Sequence, residues 1–255
     1  IIHQEGGMAF ETIELPSETR HLDFYLAQFQ LLDKNCQSSP MGKVRTKDCI
    51  DMHQIAFDCT REELGEDPSV MGIINTNSPM QLDIPMSEAT IELARAGQAV
   101  CVTPFTLSGA MAPIKQAGTL VQQNAEILAV ITLTQLVRPG APIIYGSFST
   151  NVDMRSGSPA FGTPEYIRST IAGGQLARFY GLPYRSSNTN ASNSVDAQAI
   201  YESGMSLWAT IMSHANLVNH AAGWLEGGLT ASFEKLIIDA EMLQTISESL
   251  KPIEV

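Results

Sequence analysis

Apolar and polar positions alternate in a regular beat over most of this chain. Short apolar runs occupy 70–76, 99–103, 142–146, 182–185 and 217–224, and a stretch with helical patterning follows each of them. The first such stretch covers 87–96 and stops at Gly97, the residue type that ends helices most readily. The second opens on the capping-box pattern Thr119-x-x-Gln122. It repeats Leu120, Ile127, Leu128 and Ile131 along one helical face and halts at Arg138-Pro139-Gly140. The third begins with Thr163 as N-cap, Pro164 at the first helical position and Glu165 in the first turn, and Gly181 follows it. Ile200, Gly204, Leu207, Trp208, Ile211 and Ala215 line one face of the fourth, and the last runs over 233–250. Ahead of this beat the pattern predicts a strand at 8–13, a break at Pro16, a helix over 18–32, a loop at 33–45 and a helix over 46–64.

Five successive strand-then-helix units predict a parallel sheet, because a helix must carry the chain back before the next strand can run the same way. No Gly-x-Gly-x-x-Gly or P-loop follows any of the runs, which disfavours a dinucleotide-binding domain. The expectation is an α/β fold of the TIM (β/α)8-barrel type, a single domain over 1–255. Ile1 is not a translational start, so the chain reads as a fragment and the barrel as incomplete at its ends.

Composition narrows the functional classes. The chain has 255 residues, 44 % of them hydrophobic and 16 % charged, and its net charge is −12. This is enough apolar material for a sizeable core, and too little clustered basic charge for binding a nucleic-acid backbone. No apolar run reaches bilayer length, so no membrane association is expected. The four cysteines form no Cys-x-x-Cys pair and read as reduced thiols, as in a cytoplasmic protein.

In a parallel barrel the residues at the strand C-terminal ends share one mouth. Here they would be Asn75, Asn77, Ser78, Thr103, Thr106, Ser108, Tyr145, Ser147, Ser149, Asn188, Asn190, Asn193, His220 and Glu226. Thr103, Tyr145, Ser147, Asn188, Asn190, His220 and Trp224 are the residues expected to face one substrate-binding cavity. The set is mostly neutral: it holds no paired carboxylates, no Schiff-base lysine and no metal-binding pattern, so no catalytic side chain is assigned and no metal is expected. Tyr145, Phe148, Phe161, Tyr184 and Trp224 either box a methylammonium group by cation–π attraction or pack the barrel rim. A lyase or aldolase barrel, and a non-catalytic barrel that only binds a methylated amine, stand as alternative readings of such a mouth.

Several stretches carry a resemblance to a known family. They are Glu-Thr-Arg-His-Leu-Asp at 18–23, Met41-Gly42, Gly-Thr-Leu-Val-Gln-Gln-Asn-Ala-Glu at 118–126 and Pro-Ile-Ile-Tyr-Gly at 142–146. Gly-Gly-Gln-Leu-Ala-Arg-Phe-Tyr-Gly-Leu-Pro at 173–183 and Val-Asp-Ala-Gln-Ala-Ile-Tyr-Glu at 195–202 complete them. In these the chain resembles the trimethylamine methyltransferase (MttB-like) superfamily, whose members are longer at both ends. The resemblance implies a TIM barrel that moves a methyl group from a methylated amine to Co(I) of a cognate corrinoid protein, with no tightly bound cofactor of its own. It also leaves room for a homo-oligomer. Archaeal trimethylamine enzymes carry pyrrolysine in a loop that corresponds to 188–194, where this chain has only standard residues. That implies the non-pyrrolysine branch, similar enzymes acting on quaternary amines such as glycine betaine.

Overall fold

The structure, a computed structural model, describes residues 13–39 and 41–253. Its centre is a curled sheet of six parallel strands, a half-barrel. The strands are β1 (Cys36–Ser38), β2 (Val70–Ile74), β3 (Ala99–Val102), β4 (Ile143–Gly146), β5 (Tyr184–Ser187) and β6 (Leu217–Asn219). They stand side by side in chain order, every neighbouring pair parallel. Crossovers that never reverse direction put the intervening helices on one face of the sheet and leave the other face as the concave lining.

Among the described residues there are eight α-helices: α1 (Arg20–Leu31), α2 (Lys43–Phe57), α3 (Arg61–Glu66), α4 (Ile84–Arg95), α5 (Gln116–Val137), α6 (Pro164–Phe179), α7 (Ala197–Met212) and α8 (Phe233–Ser249). The main core fills the layer between sheet and helices. Val70, Ile74, Val100, Val102, Ile143, Tyr145 and Tyr184 from the strands meet Leu93 of α4, Ile127 of α5 and Ala177 of α6 there. No helix of the described residues is long and apolar enough to cross a membrane.

The five expected runs are consecutive parallel strands, with β5 displaced by two residues towards the C-terminus and β6 ending at Asn219. Four expectations change. The 33–45 segment, expected as a loop, holds β1, whose Cys36 is buried beside Cys49 of α2. The helix expected over 46–64 is split: Asp58 turns left-handed at φ 49°, and Thr60 with Glu63 forms a capping box that starts α3. Thr119 does not cap a helix, because α5 already begins at Gln116. Its hydroxyl instead donates to Pro113 O and meets Ser108 Oγ. The expected strand at 8–13 lies, but for its last residue, outside the described residues.

The fourth change concerns α7. Trp208, expected on its buried face, is 44 % exposed, whereas Leu207 is buried as expected, together with Ala199, Ser203, Ser206, Ala209 and Thr210. Ser203, Ser206 and Thr210 recur at helical spacing, and their hydroxyls are all hydrogen-bonded. Ser206 donates to Thr189 O at 2.7 Å, while Ser203 accepts from Asn190 Nδ2 and from Lys235 Nζ. Hydroxyl hydrogen bonds therefore join apolar burial on the inward side of α7.

Candidate functional site at the C-terminal rim

Above the strand ends the connecting loops are tied into small sheets. Leu107–Ser108 pairs parallel with Thr150–Val152, which pairs antiparallel with Pro159–Ala160. Trp224–Leu225 forms a second antiparallel ladder with Thr230–Ala231. These ladders fix the loops that carry a continuous cluster of rings. Phe148 lies 5.5 Å from Phe105, 5.1 Å from Phe161 and 5.5 Å from His220 between ring centroids. Trp224 stands edge-on to His220 at 5.6 Å, and Tyr166 closes the back of the cluster 5.8 Å from Phe161. Phe161 and Tyr166 are buried, whereas Phe105, Phe148, His220 and Trp224 keep part of their surface exposed.

Side chains alternate across a strand, so neighbouring residues at the strand ends go to opposite destinations. Thr103 belongs to the concave side: a Cβ on Gly146 of the adjoining strand would lie 2.0 Å from Thr103 Oγ1. Only glycine fits there. Tyr145 and Ser147, expected beside it, turn the other way. Tyr145 is fully buried against the helices and donates from its hydroxyl to Asn124 Oδ1 at 3.1 Å. Ser147 donates to Gln123 Oε1 at 3.0 Å. Tyr184 also leaves the expected ring box, its hydroxyl donating to Thr170 O of α6. These three are packing residues of the sheet–helix layer.

His220, Asn188, Asn190 and Trp224 do come together. His220 Nδ1 is 3.2 Å from Ser187 Oγ, Asn188 donates to Ala221 O, and Asn190 donates to Trp224 O at 2.8 Å. Both asparagines are nearly fully buried, and their amide donors pin the 221–224 segment to the end of β5. Their Oδ1 atoms are buried without a hydrogen-bond partner. Burial, with the nearby Arg185 guanidinium adding to it, holds His220 down to about 3, so its imidazole is neutral at any working pH.

Many of the other mouth residues serve as ties. Glu126 of α5 accepts from Thr76 Oγ1 at 2.5 Å, Ser78 Oγ at 2.7 Å and the Met80 N–H at 2.9 Å, fixing the loop after β2. Asn75 donates to Thr103 O, and Ser149 to Gln123 Oε1. Behind Trp224, Lys235 and Asp239 of α8 form a wholly buried ion pair, Nζ to Oδ2 2.6 Å, and Asp239 also takes the Gly223 N–H. Asn193 is exposed, and Glu226 accepts from Thr230 Oγ1.

Sequence position alone missed three contributors to this rim. Phe105 and Tyr166 join the ring cluster from the β3–α5 loop and from α6. Arg185 projects from β5 onto the concave side with its Cζ 5.6 Å from the Phe148 centroid. The one signal for Arg185 was a lone charge in an otherwise neutral strand, Tyr-Arg-Ser-Ser.

Known proteins share this arrangement of sequence. Residues 1–255 match the family described as trimethylamine methyltransferase (MTTB). The chain belongs to the trimethylamine methyltransferase family. Within that family it is 40 % identical over 251 residues to the glycine betaine methyltransferase of Desulfitobacterium hafniense (strain Y51), a match covering 98 % of this chain and 52 % of that relative. It is 36 % identical over 195 residues to the trimethylamine methyltransferase MttB of Methanosarcina barkeri (strain Fusaro), covering 76 % of this chain and 39 % of the relative. The MttB of Desulfitobacterium hafniense (strain DSM 10664) gives the same identity over the same length. The chain thus spans about half, or less, of the length of the curated relatives it matches.

Proposed function

We propose that the full-length protein moves a methyl group from a quaternary methylated amine, such as glycine betaine, to the cobalt of a corrinoid carried by a partner protein. In this reading the half-barrel is part of a TIM (β/α)8-type barrel, a proposal supported by the sequential strand order and the helices confined to one face. The observation that carries the reading is the cluster of partly exposed rings, Phe105, Phe148, His220 and Trp224, gathered at the strand C-terminal ends. Ring faces attract a quaternary ammonium and place no acid or base against it.

The chemistry needs little more from the chain. The corrinoid acceptor supplies the nucleophile, and a quaternary amine leaves as a neutral tertiary amine, so no side chain has to deliver a proton. Residues 188–194 fit that division of labour. Ser192 Oγ is spent on Ser194 O and Asp196 Oδ1, and Asn188 and Asn190 on backbone carbonyls, so the loop is a rigid wall. His220, held neutral, adds a polar ring without a competing charge. What remains is orientation and the exclusion of water.

The test is methyl transfer to reduced cobalamin by the full-length protein. Glycine betaine is expected to be used faster than trimethylamine, and Phe148→Ala and Trp224→Ala to lower kcat/KM about tenfold or more each, the loss of one desolvated cation–π contact. Transfer from trimethylamine alone, or none from any quaternary amine, overturns the reading.

A further inference from the structure

Arg185 is 2 % exposed, yet its Nε and Nη1 atoms are buried without a hydrogen-bond partner. The groups that interact with its charge are Cys101, Tyr166, Tyr184 and His220; burial raises the thiol and both phenols, so none of them is an anion at neutral pH. Among the described residues no carboxylate forms an ion pair with it. A fully buried, uncompensated guanidinium is costly, and proteins keep such a group where something else completes it. Its Cζ stands 5.6 Å from the centroid of Phe148, a member of the ring cluster, so charge and rings belong to one site.

We infer that Arg185 is an anion anchor that makes the site selective for methylated amines bearing a carboxylate. The inference rests on the function proposed above and narrows it. A guanidinium offers two parallel N–H donors that match the two oxygens of a carboxylate. Aromatic rings attract any quaternary ammonium, but a fixed positive charge beside them repels a simple cation inside a site of low dielectric. A zwitterion resolves the conflict: its carboxylate neutralises the guanidinium while its ammonium rests on the rings. Arg185 therefore acts twice, attracting the zwitterion and rejecting a plain cation. Lys has the charge but not the fork, so Arg185→Lys retains part of the preference and Arg185→Met none of it.

Calorimetric titration of the full-length protein with glycine betaine and with choline, in the absence of any corrinoid, reads this directly. Wild type is expected to bind glycine betaine at least about thirtyfold more tightly than choline, the range of a charge-assisted pair. Arg185→Met should erase that preference, weakening glycine betaine while leaving choline unchanged or tighter. Because removing an uncompensated buried charge relieves the free protein, ligand-free Arg185→Met should melt at the same or a higher temperature. Parallel loss of both ligands in Arg185→Met, a wild type that does not discriminate, or lower melting temperatures for both Arg185 variants would overturn the anchor and leave the methyl-transfer proposal standing. A wild type that binds neither ligand would overturn both.

Discussion

His220 shows how one ring of the rim bears on stability. Its pKa falls from 6.5 to about 3, first through burial and then through the charge of Arg185. Between those values the unfolded chain binds a proton that the folded chain refuses. Stability is therefore complete above pH 6.5 and declines as pH drops, by about 1.4 kcal/mol per unit for this group. Urea titrations from pH 7.5 to 4.5 should show that slope, and His220→Gln should remove its share; equal slopes in both proteins would contradict a neutral imidazole. The cap residues of α6 were legible from sequence, because Thr163, Pro164 and Gly181 act through local backbone geometry, and Gly181 does take φ +67°. The facing of Tyr145 was not. In a parallel sheet both faces are buried, so hydrophobicity does not say which residue meets the helices and which the lining, and an offset of one residue exchanges them.

At the scale of elements, the last helix of the described chain, α8, holds the rim in shape. Asp239 of α8 pairs with Lys235, takes the Gly223 N–H and so fixes the strand that carries Trp224. Both partners are fully buried. Asp239→Ala strands an ammonium group in the interior and is expected to cost about 3–5 kcal/mol, whereas Lys235→Met combined with Asp239→Leu should cost much less. Denaturant midpoints of the two variants settle this; a double variant as unstable as the single one would mean that packing, not charge, sets the energy. The strand-and-helix alternation was readable because each element has its own period. β1 was not, since three residues in a polar segment carry no periodicity and the strand exists by pairing with β2. The burial of Ser203 and Ser206 on α7 escaped for a related reason: their hydroxyls are satisfied by partners far along the chain, which no local pattern records.

Seen whole, the molecule separates what must stay from what is free to vary. The inner wall is fitted to the atom, as where Gly146 would place a Cβ 2.0 Å from Thr103 Oγ1 and 2.6 Å from Val102 O. The rings that would touch a ligand sit on different loops: Phe105 after β3, Phe148 after β4, His220 and Trp224 after β6. A mutational scan read out by soluble yield should therefore find Gly146→Ala disabling and substitutions at Phe105 or Phe148 mild; the opposite ranking would refute the separation. The loops are thus the inheritable variable of this scaffold. Descendants can acquire a taste for a new ligand by exchanging one ring at a time, each trial leaving the parallel sheet, and with it the chance of folding at all, untouched.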